Sequence, residues 1–183
     1  MSDIVTIAGS PAYPSRSSAI LDHIRTLAED AGLSTDAIRV RDLNADELIS
    51  ARADGPSLHD AISRIASARA VVIATPVYKA AYTGVLKAFL DVLPQGALAD
   101  KAVFPIATGG SPAHLLVIDY ALKPVLSSLG AQNILNGLYI LDSQLQYANG
   151  IELDAGLEKR LQDTLQSLFK TLIPAELIIA TGK

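Results

Sequence analysis

The chain has 183 residues, a length that suits one domain with a full hydrophobic core. It carries 15 Lys and Arg against 19 Asp and Glu, and the resulting charge of −4 argues against nucleic-acid binding, which needs a basic surface. The absence of cysteine excludes disulfide bonds, thiolate metal sites and a cysteine nucleophile.

We expect neither a signal peptide nor a membrane-spanning segment. Met-Ser-Asp precedes the first apolar run without a basic segment. No apolar run reaches about 18 residues, so the sequence favours a cytoplasmic protein with no membrane partner. Half of the residues are hydrophobic, which favours an oligomer that buries part of the surface.

Five apolar runs alternate with segments of helical periodicity along the chain. Strands are predicted over residues 3–8, 34–40, 70–75, 102–108 and 132–141. Helices are predicted from Ile20 to a stop signal at Gly32, and over 56–67, 83–93, 114–129 and 157–172. Because the strands are apolar on both faces, the pattern predicts a single α/β domain over residues 1–183. Its predicted fold class is a flavodoxin-like, doubly wound five-stranded parallel sheet of order 2-1-3-4-5, with helices on both faces.

Two features fit this pattern less well. Pro105 lies inside the fourth predicted strand, where its missing N–H removes a hydrogen bond, so we expect a local bulge. The tail 174–183 contains an apolar Leu-Ile-Ile sequence, which we expect to pack on the body of the protein or on a neighbouring subunit.

The turn between the first strand and the first helix is the most informative segment. Residues 9–18 read GSPAYPSRSS and contain four serines and one arginine. The free N–H groups and the dipole of a helix N-terminus favour an anion, which hydroxyl and guanidinium groups can surround. The segment therefore predicts a phosphate-binding loop; the alternative is that the serines only cap the helix.

Two further loops should contribute to the same site. In this topology, ligands bind beyond the C-terminal ends of the strands where the strand order reverses. The loop after the third strand reads TPVYKAAY over 75–82, and the loop after the fourth reads TGGSPAH over 108–114. Proline stiffens both loops, glycine lets a flat ligand approach the backbone, and Tyr78 is suited to stacking on an aromatic ring. Together the three loops predict a site for flavin mononucleotide (FMN).

With these motifs, the chain resembles the NAD(P)H-dependent FMN reductases of flavodoxin-like fold, and within them the reductase component of two-component alkanesulfonate monooxygenases. The resemblance runs from residue 3 to residue 145. It is carried by AGSP at 8–11, PSRSS at 14–18, ATPVYKAAY at 74–82, ATGG at 107–110, AHLL at 113–116 and DYALKPVL at 119–126. One departure is Ala12, where many relatives have arginine, so Arg16 alone would supply the positive charge for the phosphate.

The resemblance implies an enzyme that transfers hydride from NADPH or NADH to FMN, without a catalytic side chain or a metal. The reduced flavin would pass to an FMNH2-dependent monooxygenase in alkanesulfonate or other organosulfur assimilation. The resemblance also implies the binding residues: Ser10, Ser15, Arg16, Ser17 and Ser18 for the phosphate; Pro76, Val77, Tyr78 and Lys79 for the ring and ribityl chain; Thr108, Gly109 and Gly110 for the ring edge, with His114 nearby. Simpler roles stay open: a surface ion pair for Arg16, packing for Tyr78, a solvated lysine at Lys79 and a helix start at His114.

Tyr120 and Pro124 form a separate signal inside the fourth predicted helix. Proline has no N–H to bond the carbonyl four residues earlier, so the helix must kink or widen at Tyr120, and a π-bulge would achieve this. In the resembled subgroup, a tyrosine at this position marks such a bulge at the subunit interface, which implies a homotetramer built as a dimer of dimers. The alternative is an ordinary proline kink.

Two other functions stay open. An FMN-containing quinone or azo reductase would keep its flavin bound and reduce a second substrate. A flavodoxin-type electron carrier fits less well, because such carriers are strongly acidic and sandwich the ring between aromatic side chains, whereas this chain has no tryptophan. The first loop lacks the G-x-G-x-x-G pattern of dinucleotide-binding domains. The chain also lacks the Gly-Lys-Ser/Thr sequence of P-loop nucleoside triphosphatases, which excludes that class.

Overall fold

The computed structural model describes residues 2–148 and 150–172. The strands are β1 (Ile4–Ala8), β2 (Thr35–Arg39), β3 (Ala70–Pro76), β4 (Ala102–Gly109), β5 (Asn133–Ile134), β6 (Leu138–Leu141), β7 (Leu145–Gln146) and β8 (Glu152–Leu153). The α-helices are α1 (Arg16–Asp30), α2 (Ala45–Ile49), α3 (Pro56–Ser67), α4 (Gly84–Asp91), α5 (Lys123–Ser128) and α6 (Ala155–Leu172). A π-helix at Ile118–Leu122 directly precedes α5.

The main sheet is parallel and has the order β2-β1-β3-β4-β5, with β6 also pairing with β4. This is the predicted order 2-1-3-4-5, and it is confirmed. The fifth predicted strand is present as two short strands, β5 and β6, that lie one after the other along β4. The strand order reverses between β1 and β3, so a crevice opens beyond the carboxyl ends of these two strands.

Alternating residues of the strands build two hydrophobic cores, one on each face of the sheet. Val5 and Ile7 of β1 pack with residues of α3, α4 and α5. Ile4 and Ala8 of the same strand pack on the other face with α1 and α6. The helices therefore cover both faces, as the apolar character of the strands predicts.

A local irregularity does accompany Pro105, but the extra residue lies in the neighbouring strand and not in β4. Val103 pairs with Ile134 and Ile106 with Leu138, so four steps along β5–β6 match three along β4. β4 pairs with β3 in unbroken register, and Pro105 lies opposite Ile73. The carbonyl oxygen of Val103 accepts a hydrogen bond from the N–H of Leu135 at 2.8 Å. Because backbone groups alternate in direction along a strand, the missing N–H of Pro105 faces the same side, where β5 has ended and β6 has not begun. The gap in the neighbouring strand removes the need for the missing donor.

Three other segments differ from the predictions or lie beyond them. The helix predicted over 114–129 is divided into a 3-10 turn at Pro112–His114, the π-helix and α5. The short helix α2 and the antiparallel pair β7–β8 have too few residues for a periodic pattern. The predicted packing of the tail 174–183 lies outside the described residues. Among the residues that are described, no helix is long and apolar enough to cross a membrane.

Candidate functional site

The loops that follow β1, β3 and β4 meet at the carboxyl edge of the sheet and are fastened to one another. The N–H of Gly9 donates to the carbonyl of Ala74, and the N–H of Val77 donates to the carbonyl of Thr108, each at 2.8 Å. The buried hydroxyl of Thr83 donates to the carbonyl of Gly9 and also accepts the N–H of Leu86 at the start of α4. Thr83 therefore ties the loop after β1 to the end of the loop after β3, a role that sequence reasoning missed.

A cavity of about 270 Å³ lies between these loops. The structure brings together around it the predicted residues Ser10, Ser15, Arg16, Ser17, Pro76, Val77, Tyr78, Thr108, Gly109 and Gly110. Ala12, Pro14, Asp142 and Tyr147 complete the lining. Ser18, Lys79 and His114 do not line this cavity, and their role as ligands stays a prediction.

The serines at the start of α1 divide their roles between capping and the cavity. Ser15 is the N-cap: its Oγ accepts the N–H of Ser18 at 3.1 Å, and Oγ of Ser18 accepts the N–H of Ser15 at 3.0 Å. Ser18 is thus used in the cap, which agrees with the simpler interpretation of that residue. The N–H groups of Arg16 and Ser17 make no hydrogen bond within the described ranges, so two donors at the positive end of the helix face the cavity.

Arg16 is held by two residues that follow β6. Its Nε donates to the backbone carbonyl of Asp142 at 3.2 Å, and its Nη1 lies 3.5 Å from Oδ2 of the same residue. Its guanidinium carbon also lies 5.8 Å from the centre of the Tyr147 ring, within the range of a cation–π contact. Asp142 and Tyr147 were not predicted. The one signal that could have found Asp142 is its position directly after the fifth predicted strand, at the same edge of the sheet.

The loop after β3 forms a tight turn with Lys79 at its tip. The N–H of Tyr78 donates to the carbonyl of Ala81 at 2.8 Å, and the reverse hydrogen bond measures 3.1 Å. Lys79 and Ala80 have φ values of 49° and 65°, a left-handed conformation that residues with a Cβ adopt at a cost. Tyr78 is 49% exposed beside the cavity, so its side chain is accessible to a stacked partner.

Gly109 and Gly110 have different surroundings. A Cβ at Gly109 would lie 2.3 Å from the Tyr139 hydroxyl, whose Oη donates to the carbonyl of Ser111 at 2.6 Å. A Cβ at Gly110 would meet only the Asp142 carboxylate, at 3.7 Å, so the space above Gly110 is open to the cavity. Burial, and secondarily the Asp142 charge, raise the pKa of the Tyr139 phenol, which favours its role as a hydrogen-bond donor.

The π-helix presents an exposed apolar surface away from this cavity. The N–H of Lys123 donates to the carbonyl of Ile118, five residues earlier, and Pro124 follows without an N–H. Tyr120 lies at the middle of the π-helix and is 79% exposed. Leu115 and Leu116 are exposed beside it, and His114 ends the preceding 3-10 turn at the surface.

Within residues 2–148 and 150–172, no group of three or more His, Cys, Asp or Glu side chains is arranged to hold a metal ion. The cavity lining instead offers hydroxyl groups, backbone donors, one guanidinium, one carboxylate and two tyrosine side chains. That set suits an anionic group at the start of α1 and a flat group between Tyr78 and Gly110.

Comparison with known proteins gives a consistent result. The family model for NADPH-dependent FMN reductase matches residues 2–146. The chain is 44% identical over 182 residues to an FMN reductase (NADPH) of Pseudomonas putida, covering 98% of this chain and 92% of that protein. It is 42% identical over 170 residues to an FMN reductase (NADPH) of Escherichia coli, covering 92% and 89%. The solved apo form of the NADH:FMN oxidoreductase EMOB superposes with a TM-score of 0.82 at 35% identity, covering 94% of this chain and 91% of that one.

Proposed function

This chain belongs to the NADPH-dependent FMN reductase family and is an NAD(P)H:FMN oxidoreductase, and from that premise we propose that it exchanges FMN with solution as a substrate and supplies the reduced flavin to a partner monooxygenase. The role of each residue below, the single domain over residues 1–183 and the cytoplasmic location belong to the same proposal.

The residues of the cavity fit FMN. The N–H groups of Arg16 and Ser17 and the Arg16 guanidinium provide donors for a phosphate at the positive end of α1, with Ser10 and Ser15 beside them. When bound, FMN accepts a hydride from the nicotinamide, so the protein supplies binding, orientation and electrostatics.

The remaining lining residues serve the ring end of the site. Pro76, Val77 and Tyr78 would cover one side of the ring. The backbone N–H of Gly110, which makes no hydrogen bond within the described residues, would donate to the ring edge where negative charge develops, with Thr108 and Gly109 beside it. Lys79, at the tip of its turn, and His114 are further candidates for contacts outside the cavity.

The weak positive charge of the phosphate end supports exchange. Ala12 stands where many members of the resembled subgroup have arginine, and Arg16 is already paired with Asp142. An anion site with one shared guanidinium holds its ligand less firmly than a site with two. Release of reduced flavin to an FMNH2-dependent monooxygenase, in alkanesulfonate or organosulfur assimilation, follows from the resemblance to the reductases of such two-component systems.

A titration with FMN tests this function. NADPH and NADH oxidation by the purified protein should rise with added FMN and saturate, because FMN is a substrate. The alternative is a quinone or azo reductase with a retained flavin. A protein that purifies yellow, and reduces a quinone at full rate without added FMN, would establish that alternative.

A further inference from the structure

The charges that line the cavity form one ion pair. Arg16 and Asp142 are its charged lining residues within the part of the chain that the structure describes. They are 126 residues apart in the sequence, since Arg16 opens α1 and Asp142 follows β6. Their charges cancel, so the cavity offers an incoming phosphate no net positive charge from side chains. The attraction left for the phosphate comes from the helix dipole, the free N–H groups and the hydroxyls.

Asp142 makes two contacts with Arg16 that have different consequences. Its backbone carbonyl accepts Nε at 3.2 Å, which fixes the position of the guanidinium whatever side chain stands at 142. Its carboxylate lies 3.5 Å from Nη1, a longer contact made by side chains that are 37% and 41% exposed. An ion pair this exposed adds little stability. The carboxylate is therefore a weakly held anion beside the group that a phosphate would use.

We propose that the Asp142 carboxylate competes with the 5′-phosphate of FMN for Arg16, and thereby sets how fast flavin exchanges and how strongly the site prefers FMN to riboflavin. This inference rests on the proposed function, in which the phosphate binds at the start of α1. A bound phosphate must displace the carboxylate from Nη1 or accept a second anion beside it. Either route lowers affinity for a phosphorylated flavin and leaves an unphosphorylated one unaffected.

The test compares Asp142→Asn with the unaltered protein, with flavin fluorescence as the measure of binding. The substitution removes the charge, keeps the shape and keeps the backbone carbonyl that positions Arg16. We expect the Kd for FMN to fall about tenfold, equivalent to about 1.4 kcal/mol, and the Kd for riboflavin to stay unchanged. The dissociation rate of FMN, measured by stopped flow, should fall with it.

Two further variants separate charge at this position from other effects. Asp91→Asn removes an exposed carboxylate that pairs with Lys87 on α4, and it should leave both Kd values unchanged. Arg16→Gln should weaken FMN binding, and Asp142→Asn should then tighten it by clearly less than tenfold, because the competition for the guanidinium is gone and only direct repulsion between the two anions remains.

The results distinguish a failure of this inference from a failure of the proposed function on which it rests. Unchanged or weaker FMN binding by Asp142→Asn, or equal tightening toward riboflavin, would overturn the competition. If the unaltered protein binds FMN and riboflavin equally well, the phosphate site itself is wrong and the competition fails with it. A failure of the competition alone would leave the proposed FMN reductase function intact, since that function requires only that flavin reaches the ring end of the site.

Discussion

Gly109 and Gly110 are neighbours, yet the structure requires each for a different reason. Tyr139 occupies the space of a side chain at Gly109, and the open cavity lies above Gly110. We expect Gly109→Ala to lower the free energy of unfolding by about 1–2 kcal/mol, because Tyr139 must move and its hydrogen bond to Ser111 is disturbed. Urea unfolding measures the loss, and adding Tyr139→Phe should recover part of it.

Gly110→Ala is the matched control. It should change the free energy of unfolding by less than about 0.5 kcal/mol. Its methyl group should instead raise the KM for FMN, since it fills space at the proposed ring end of the site. If the two alanine variants lose stability equally, the distinct roles of these glycines are wrong.

At the scale of elements, the edge strand β2 is fastened to α3 by one bidentate ion pair. Arg64 donates from Nε to Oδ2 of Asp36 at 2.6 Å, and its Nη2 donates both to the other oxygen of that carboxylate and to the carbonyl of Ala37. This hydrogen bonding is the main cause that holds the pKa of Asp36 below its usual value of 3.8. The charged residues also protect the edge strand from pairing with another chain.

A depressed carboxyl pKa gives this pair a defined pH dependence. Its stabilisation is present above the unfolded pKa and is lost as the pH falls through the lower folded pKa. We expect Asp36→Asn to lower the free energy of unfolding by about 1 kcal/mol at pH 7, and the difference from the unaltered protein to vanish at acid pH. Asp60→Asn, which removes a more exposed carboxylate 3.4 Å from the same Arg64, should have a smaller effect. A difference that grows as the pH falls would contradict this sign.

The order and direction of the main elements could be predicted because apolar runs and helical stripes record burial directly. The strand gap beside Pro105 could not, since it depends on which side of β4 the missing N–H faces. The position of Arg16 in the cavity could be predicted from its place at the start of a helix that follows β1. Its pairing with Asp142, 126 residues away, is created by the folded topology and leaves no local pattern.

At the scale of the whole molecule, Tyr120, Leu115 and Leu116 form an apolar surface that a monomer would expose to water. We propose that this surface is the interface of a homotetramer arranged as a dimer of dimers. We expect Tyr120→Ala to shift the protein to smaller species in analytical ultracentrifugation and to alter its FMN affinity. Ile49→Ala, at an exposed position on α2, is the control and should change neither. If Tyr120→Ala leaves assembly and affinity unchanged, the interface lies elsewhere.

Thr83 makes the site rigid, because it fixes the relative position of two loops at the carboxyl edge of the sheet. Its hydroxyl caps α4 and donates to the carbonyl of Gly9, so the loops after β1 and β3 are held at a fixed spacing by the protein itself. The entropy of arranging these loops is lost once, when the chain folds, and not at each encounter with a ligand. For a protein that passes its flavin on, as we propose here, this rigidity permits fast exchange, because the binding site does not have to rearrange each time the ligand binds or leaves.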